Sequence, residues 1–184
     1  MNESYDKVHI AIAFCVAGHQ ACGQKRKFSS GEYFVHPVEV SKLVALYQGT
    51  DDMICAALLH DLIEDTQIKL ETIRNTFGDN IARMVAGLTK VSKLEDGDRA
   101  TRKAIDLAHT ALQCPDTKTI KICDVIDNLS DIYGADPAWA KQYILEKELL
   151  LEVLREGNSQ AWDLASLMVK EAKTALIGGQ TCSL

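Results

Sequence analysis

Adjacent histidine and aspartate side chains, His60 and Asp61, follow an apolar run that is typical of a buried helix. One helical turn further along the chain come two more carboxylates, Glu64 and Asp65. Charged groups beside a core element are costly unless they are paired or bind a metal ion. The segment 57–66 therefore offers two candidate metal ligands and two candidate acid–base groups, although a polar helix end explains these ten residues equally well.

Two more candidate ligands lie elsewhere in the chain. Pro37 suits the first position of a helix, so His36 is predicted at the N-terminal mouth of a helix over 37–47. Asp124 belongs to a row of polar side chains on an otherwise apolar helix and shares one face with Asn128. Such a row is either a solvent-facing stripe or the lining of a pocket.

The candidate ligands are two imidazoles and two carboxylates, namely His36, His60, Asp61 and Asp124. This mixed nitrogen and oxygen set suits a divalent transition ion such as manganese, iron or zinc better than calcium. Such an ion lowers the pKa of its water and shields phosphate charge. The set therefore predicts metal-assisted phosphoester hydrolysis, with Glu64 or Asp65 as the general base or acid.

An all-α fold of about eight to ten helices is predicted to hold these side chains. A composition that is 47% apolar but only 6% aromatic, with three prolines, favours helices over a β-sandwich. A length of 184 residues fits one domain, with a loosely held tail from about residue 178. Apolar spacing and capping residues predict helices over 5–22, 37–47, 70–77, 79–89, 99–114, 118–133, 137–156 and 159–176, and one after Thr50 that carries His60 and Asp61.

Charge and cysteine usage argue against several classes of function. A net charge of −6 disfavours a general nucleic-acid binder, which normally carries a basic excess. No apolar run is long enough to span a bilayer, and the six cysteines form no C-x-x-C pair and follow no secretory leader. We therefore expect a cytoplasmic protein with a small-molecule substrate and without nucleic-acid or membrane partners. A homodimer stays open, because Leu149–Leu151 is either core or a dimer face.

The pattern of His36, the His60-Asp61 pair and Asp124 resembles that of the HD-domain metal phosphohydrolases. The signature His-Asp-x-x-Glu-Asp-Thr at 60–66 narrows the resemblance to the hydrolase domain of RelA/SpoT proteins, over about residues 8–132. The length leaves no room for synthetase and regulatory domains, so the chain resembles a stand-alone alarmone hydrolase like the metazoan SpoT homologue. The other matching motifs are Gly23–Lys27, Tyr33, Pro37, Phe77-Gly78, Leu88–Lys90, Lys121–Asp124 and Asn128-Leu129.

The resemblance implies Mn²⁺-dependent removal of the 3′-pyrophosphate from guanosine tetra- or pentaphosphate, which gives GDP or GTP and pyrophosphate. It assigns His36, His60, Asp61 and Asp124 to the metal, and Glu64 and Asp65 to catalysis on the attacking water. The implied substrate contacts are Arg26, Lys27, Tyr33, Lys90, Arg102, Lys103 and Asn128.

Departures from the family pattern leave the specificity open. The proline that commonly precedes Tyr33 is absent, Ser130 replaces a basic residue, and Asp127 stands where aromatic or histidine side chains are common. An adenosine analogue therefore remains an alternative substrate. A 5′-nucleotidase of the HD type or a nucleotide sensor without turnover are the other interpretations. Past residue 133, Tyr143 and Lys147 are candidate pocket residues.

Overall fold

Ten α-helices make up the fold within 3–26, 31–130, 132 and 136–178, the residues that the computed structural model of the chain describes. In these ranges β-pairing amounts to one isolated bridge between Lys25 and Glu32. The predicted all-α fold of eight to ten helices is therefore confirmed. The helices are α1 (Glu3–Ala21), α2 (Val35–Leu46), α3 (Asp51–Leu59), α4 (Leu62–Asp65), α5 (Leu70–Phe77), α6 (Asp79–Leu88), α7 (Arg99–Ala111), α8 (Pro115–Ser130), α9 (Pro137–Val153) and α10 (Ser159–Gly178), with a 3₁₀ turn at Leu94–Asp96.

Local sequence signals set several helix ends where they were predicted. The Thr50 side chain caps α3 by accepting a hydrogen bond from the Met53 backbone N–H. Asp136 caps α9 in the same way, and Pro137 occupies the first helical position. Gly78 ends α5 with a φ of +93°, a conformation that glycine adopts without steric cost.

The predicted start of α2 is wrong by two residues. The helix begins at Val35, so His36 and Pro37 both lie inside its first turn, with Phe34 at the N-cap in helical geometry. Proline is tolerated there because the first four N–H groups of a helix have no intrahelical acceptor in any case. His36 is consequently buried, at 3% exposure, and does not point outward from a helix mouth.

The helix predicted to carry His60 and Asp61 is interrupted at these two residues. α3 ends at Leu59 and α4 begins at Leu62, while Asp61 adopts φ −94° and ψ −7°. The His60 Nδ1–H donates to the Ala57 carbonyl over 2.7 Å, the carbonyl that a continuous helix would offer to the Asp61 N–H. The His60 imidazole thus competes with the Asp61 backbone N–H for the Ala57 carbonyl, at the point where the helix is interrupted.

Helix α8 connects two separate clusters of buried apolar side chains. The first cluster contains side chains from each of the six helices α1 through α6, together with Ile120 and Cys123 of α8. The second joins α9 and α10 to other residues of α8, among them Ile122 and Val125. Asp124 therefore projects from the helix that the two clusters share.

Two predictions fall on parts of the chain outside the described ranges. Lys27 is one, and the loose tail after Gly178 is the other. Among the helices that are described, none has both the length and the apolar character needed to cross a membrane.

Candidate metal centre

Three buried side chains from different elements place ligand atoms within 4.8 Å of one another: His36, His60 and Asp124. Nε2 of His36 lies 3.1 Å from Oδ1 of Asp124, and Nε2 of His60 lies 3.9 Å from the same oxygen. Oδ2 of Asp61 borders the cluster, 3.1 Å from Nε2 of His60 and 3.6 Å from Nε2 of His36. The fold thus brings all four predicted ligands together.

The tautomer of His60 is fixed by its neighbour. A carbonyl oxygen can only accept, so Nδ1 carries a proton in the bond to Ala57 and Nε2 is the ring nitrogen left to bind a metal ion. Nε2 is fully buried and finds no hydrogen-bond partner among the described residues. A buried acceptor without a partner is costly, whereas a divalent ion binds an imidazole lone pair directly. The residues present therefore fit a metal ion.

The Asp124 carboxylate has two differently occupied oxygens. Oδ1 faces the imidazoles and accepts a hydrogen bond from Asn128 Nδ2, while Oδ2 lies 2.9 Å from Nζ of Lys121. Burial alone would raise the pKa of Asp124, but Lys121 and His36 outweigh burial and lower it well below its usual range. Asp124 is thus held ionised at the centre of the cluster.

His36 contacts a second carboxylate on its other ring nitrogen. Nδ1 of His36 lies 2.6 Å from Oδ2 of Asp127, which also accepts from Arg26 over 2.9 Å. Burial would lower the pKa of His36, but hydrogen bonds to Asp124 and Asp127 outweigh it and raise the pKa to about 10. The negative charges of Asp124 and Asp127 stabilise a proton on His36, and they would stabilise a divalent cation at the same place in the same way.

The two predicted catalytic carboxylates lie side by side on α4 in different surroundings. Glu64 accepts hydrogen bonds from the backbone N–H of Lys90, at 2.8 Å, and from its ammonium group. Asp65 accepts one from Nε2 of Gln24 at 2.9 Å. Burial raises the pKa of Asp65, and the nearby charges of Asp61 and Glu64 add to this effect. Asp65 thus holds its proton more tightly than an ordinary aspartate.

A histidine that the sequence analysis did not select lies behind Asp65. His19 is 1% exposed, and its Nδ1 lies 2.8 Å from Oε1 of Gln24. Its Nε2 is buried and without a hydrogen-bond partner in the described part of the chain. A chain of contacts therefore runs from His19 through Gln24 to Asp65. No local sequence signal reveals it, because the loop after α1 creates the contacts.

A groove of about 390 Å³ opens between α7 and α9, next to the cluster. Lys90 and Lys121, which contact Glu64 and Asp124, line its inner end. Lys147 lines it from α9 and places Nζ 4.7 Å from the centre of the Tyr143 ring. Burial lowers the pKa of Lys147 to about 8. The groove thus combines apolar walls with positive charge, as binding of an anionic organic molecule requires.

The predicted substrate contacts are distributed unevenly around the cluster. Tyr33 donates to Asp61 over 2.6 Å, and Lys90, Asn128 and Arg26 contact Glu64, Asp124 and Asp127 respectively. Lys103 lines the groove, 3.8 Å from Glu146. Arg102 instead donates to the carbonyl of Gly97, beside the start of its own helix. Substrate contact remains a prediction for each of them.

Residues 11–150 match the family model described as HD domain. The chain belongs to the HD-domain family. The chain is 33% identical over 140 residues to the guanosine-3′,5′-bis(diphosphate) 3′-pyrophosphohydrolase MESH1 of Danio rerio. This alignment covers 73% of this chain and 74% of that protein. The predicted family resemblance is therefore confirmed.

Two further comparisons place the HD domain among its relatives. It is 36% identical over 132 residues to a Synechocystis protein named probable guanosine-3′,5′-bis(diphosphate) 3′-pyrophosphohydrolase. The match covers 70% of this chain but only 17% of that longer protein. The solved structure of a metazoan orthologue of SpoT, described as hydrolysing ppGpp, superposes with a TM-score of 0.80 at 23% identity, covering 90% of this chain and 94% of that one. The superposition shows a shared fold.

Proposed function

We propose that this HD domain hydrolyses the 3′-pyrophosphate of guanosine 3′,5′-bis(diphosphate) and its pentaphosphate relative, giving GDP or GTP and pyrophosphate. The observation that carries the proposal is the buried Nε2 of His60, which has no hydrogen-bond partner among the residues that the structure describes and lies in one cluster with His36 and Asp124. An imidazole nitrogen directed into a cluster of carboxylates is suited to a metal ion. The names of the Danio rerio and Synechocystis relatives support the substrate.

The metal is proposed to be Mn²⁺, held by His36, His60, Asp61 and Asp124. Two imidazoles and two carboxylates suit manganese, and an ion that prefers five or six ligands keeps positions for water and phosphate. When bound, a divalent ion lowers the pKa of water and stabilises charge on the transferred phosphoryl group. Lys121 holds the outer oxygen of Asp124, so that Oδ1 stays directed at the imidazoles.

The two α4 carboxylates are proposed to divide their tasks. Asp65, whose pKa is raised by burial, is suited to accept a proton from the attacking water near neutral pH. Glu64 keeps the Lys90 ammonium at the inner end of the groove, where that cation can meet the leaving pyrophosphate. Both roles use side chains on one short helix directly after the candidate ligand Asp61.

The groove between α7 and α9 is proposed to take the remaining charged part of the nucleotide. A net charge of −6 disfavours anions at most of the surface, so that local cations must provide the attraction. Lys147, Lys103 and Lys121 supply them along the groove. Arg99 lines it too, but its guanidinium forms two hydrogen bonds of 2.9 Å with Glu146.

Product analysis tests the proposal. Metal-loaded protein is incubated with guanosine tetraphosphate, with its adenosine analogue and with nucleoside monophosphates, and the products are separated by chromatography. Release of pyrophosphate and GDP from guanosine tetraphosphate is expected. Inorganic phosphate from monophosphates alone would identify a 5′-nucleotidase instead. Tight binding of guanosine tetraphosphate without any product would identify a nucleotide sensor.

A further inference from the structure

Asp127 is a buried carboxylate that none of the roles above uses. It lies one turn after Asp124 on α8 and is 8% exposed. A single oxygen, Oδ2, accepts from Nδ1 of His36 at 2.6 Å and from the guanidinium of Arg26 at 2.9 Å. Burying a carboxylate is unfavourable unless charged or polar partners compensate for lost water, and these two donors do so.

The contact with Asp127 determines what His36 offers to the metal centre. Because the carboxylate accepts, Nδ1 carries a proton, and Nε2, which faces Oδ1 of Asp124, is the ring nitrogen left to bind a metal ion in place of its own proton. The bond also fixes the rotation of the imidazole ring. A carboxylate behind a histidine ligand orients the ring and increases its basicity towards a metal.

Arg26 in turn holds the Asp127 side chain in place. The guanidinium comes from the loop between α1 and α2, and both side chains of the pair are about nine-tenths buried. A guanidinium stays charged at all relevant pH values, so it compensates for the water that the buried Asp127 side chain has lost. The contact therefore joins a cation from a loop to the helix that bears Asp124.

We propose that Asp127 is a positioning residue for the divalent cation, acting through His36, and that Arg26 acts on the same metal ion through Asp127. Arg26 thereby gains a role in metal binding in addition to the predicted contact with substrate. The metal site rests on the proposed function, but the positioning can be measured without any nucleotide.

The test is Mn²⁺ affinity, measured by electron paramagnetic resonance of free Mn²⁺ with no nucleotide present. We expect Asp127→Asn to weaken binding about tenfold, since an amide oxygen still accepts but lacks the charge, and Asp127→Ala to weaken it up to about a hundredfold. Arg26→Gln should cause a smaller loss, because it leaves the bond between Asp127 and His36 in place. Asp116→Asn, an exposed carboxylate at the start of the same helix, is the matched control and should leave the affinity unchanged.

A spectroscopic measurement separates positioning from general stability. In the Zn²⁺-loaded protein, ¹⁵N chemical shifts should show a proton on Nδ1 of His36, and Asp127→Ala should shift that signal. Folding of each variant is checked by circular dichroism, and Asp127→Asn preserves the test if the alanine variant is unfolded. Folded Asp127 variants with wild-type Mn²⁺ affinity would overturn the proposal, even if guanosine tetraphosphate is hydrolysed. If the wild-type protein does not hydrolyse guanosine tetraphosphate while the Asp127 variants still bind Mn²⁺ more weakly than wild type, only the proposed function is overturned.

Discussion

The hydroxyl of Tyr33 donates a hydrogen bond of 2.6 Å to Oδ2 of Asp61, the oxygen that also borders both imidazoles. Tyr33 thus supports a candidate metal ligand, a different task from the predicted contact with substrate. We expect Tyr33→Phe to weaken Mn²⁺ binding about tenfold, because an outer hydrogen bond that orients a ligand is lost. Isothermal titration calorimetry measures this change. Tyr47→Phe is the control, and equal affinities for the two variants would contradict the expectation.

Asp61 and Glu64 should respond differently to removal of their carboxylates. Asp61→Ala is expected to abolish bound metal and activity together, since a candidate ligand is lost. Glu64→Ala should keep the metal and lower kcat, because the Lys90 ammonium loses the carboxylate that holds it at the groove. Metal content is measured by mass spectrometry and turnover by pyrophosphate release. Full activity of Asp61→Ala would rule out the ligand assignment.

Gln24 is expected to matter for turnover but not for metal binding. It joins His19 to Asp65 through hydrogen bonds of 2.8 Å and 2.9 Å. Its bond to Asp65 lowers the pKa of that carboxyl, partly opposing burial, so Gln24→Ala should raise that pKa further and lower kcat about tenfold at neutral pH. Steady-state kinetics with Mn²⁺ titration measures both quantities, and Gln20→Ala on exposed α1 surface is the control. A variant that loses Mn²⁺ but keeps kcat would refute this role.

Lys147 should destabilise the folded protein at neutral pH. Its pKa is lowered by burial from 10.5 to about 8, so the folded state binds fewer protons than the unfolded state between these values. Stability of the wild type therefore rises with pH across that interval, and below about pH 8 the full cost of burying the charge is present. Lys147→Met should raise the free energy of unfolding by about 1 kcal/mol at pH 7, after allowance for partial solvent contact, and by less at pH 9.5.

Urea denaturation at the two pH values measures the effect of Lys147→Met, with exposed Lys42→Met as the control. The same variant should bind guanosine tetraphosphate more weakly, since the groove loses a cation. A gain in stability that is equal at both pH values would show that Lys147 is not charged and buried.

The sequence predicts the inner part of the candidate site better than its surroundings. His36, His60, Asp61 and Asp124 are recognisable because their residue types and the adjacent His-Asp pair restrict the chemistry. Helix caps such as Thr50 and Asp136 act within a few residues, so that local sequence determines them. The all-α fold follows from composition and apolar spacing in the same direct way.

Contacts between distant residues explain what the sequence did not reveal. Asp127 lies three positions after Asp124, which is a helical neighbour, but its pairing with His36 and Arg26 depends on how α2 and a loop pack against α8. Gln24 reaches Asp65 only because the loop after α1 folds back. The spacing of apolar residues does not predict the interruption of the helix at His60, because the hydrogen bond that competes with the helix comes from a side chain.

The position of Asp124 on the helix shared by two apolar clusters has a consequence for the folding equilibrium of the whole chain. His36 and His60 belong to elements of the first cluster, whereas α8 also carries the second. An ion bound by His36, His60 and Asp124 acts as a cross-link that exists only while α8 is packed against the first cluster. At a hundred times its dissociation constant, such an ion adds about 2.7 kcal/mol to the free energy of unfolding. Depletion of the metal would therefore make the chain more susceptible to proteolysis as well as inactive.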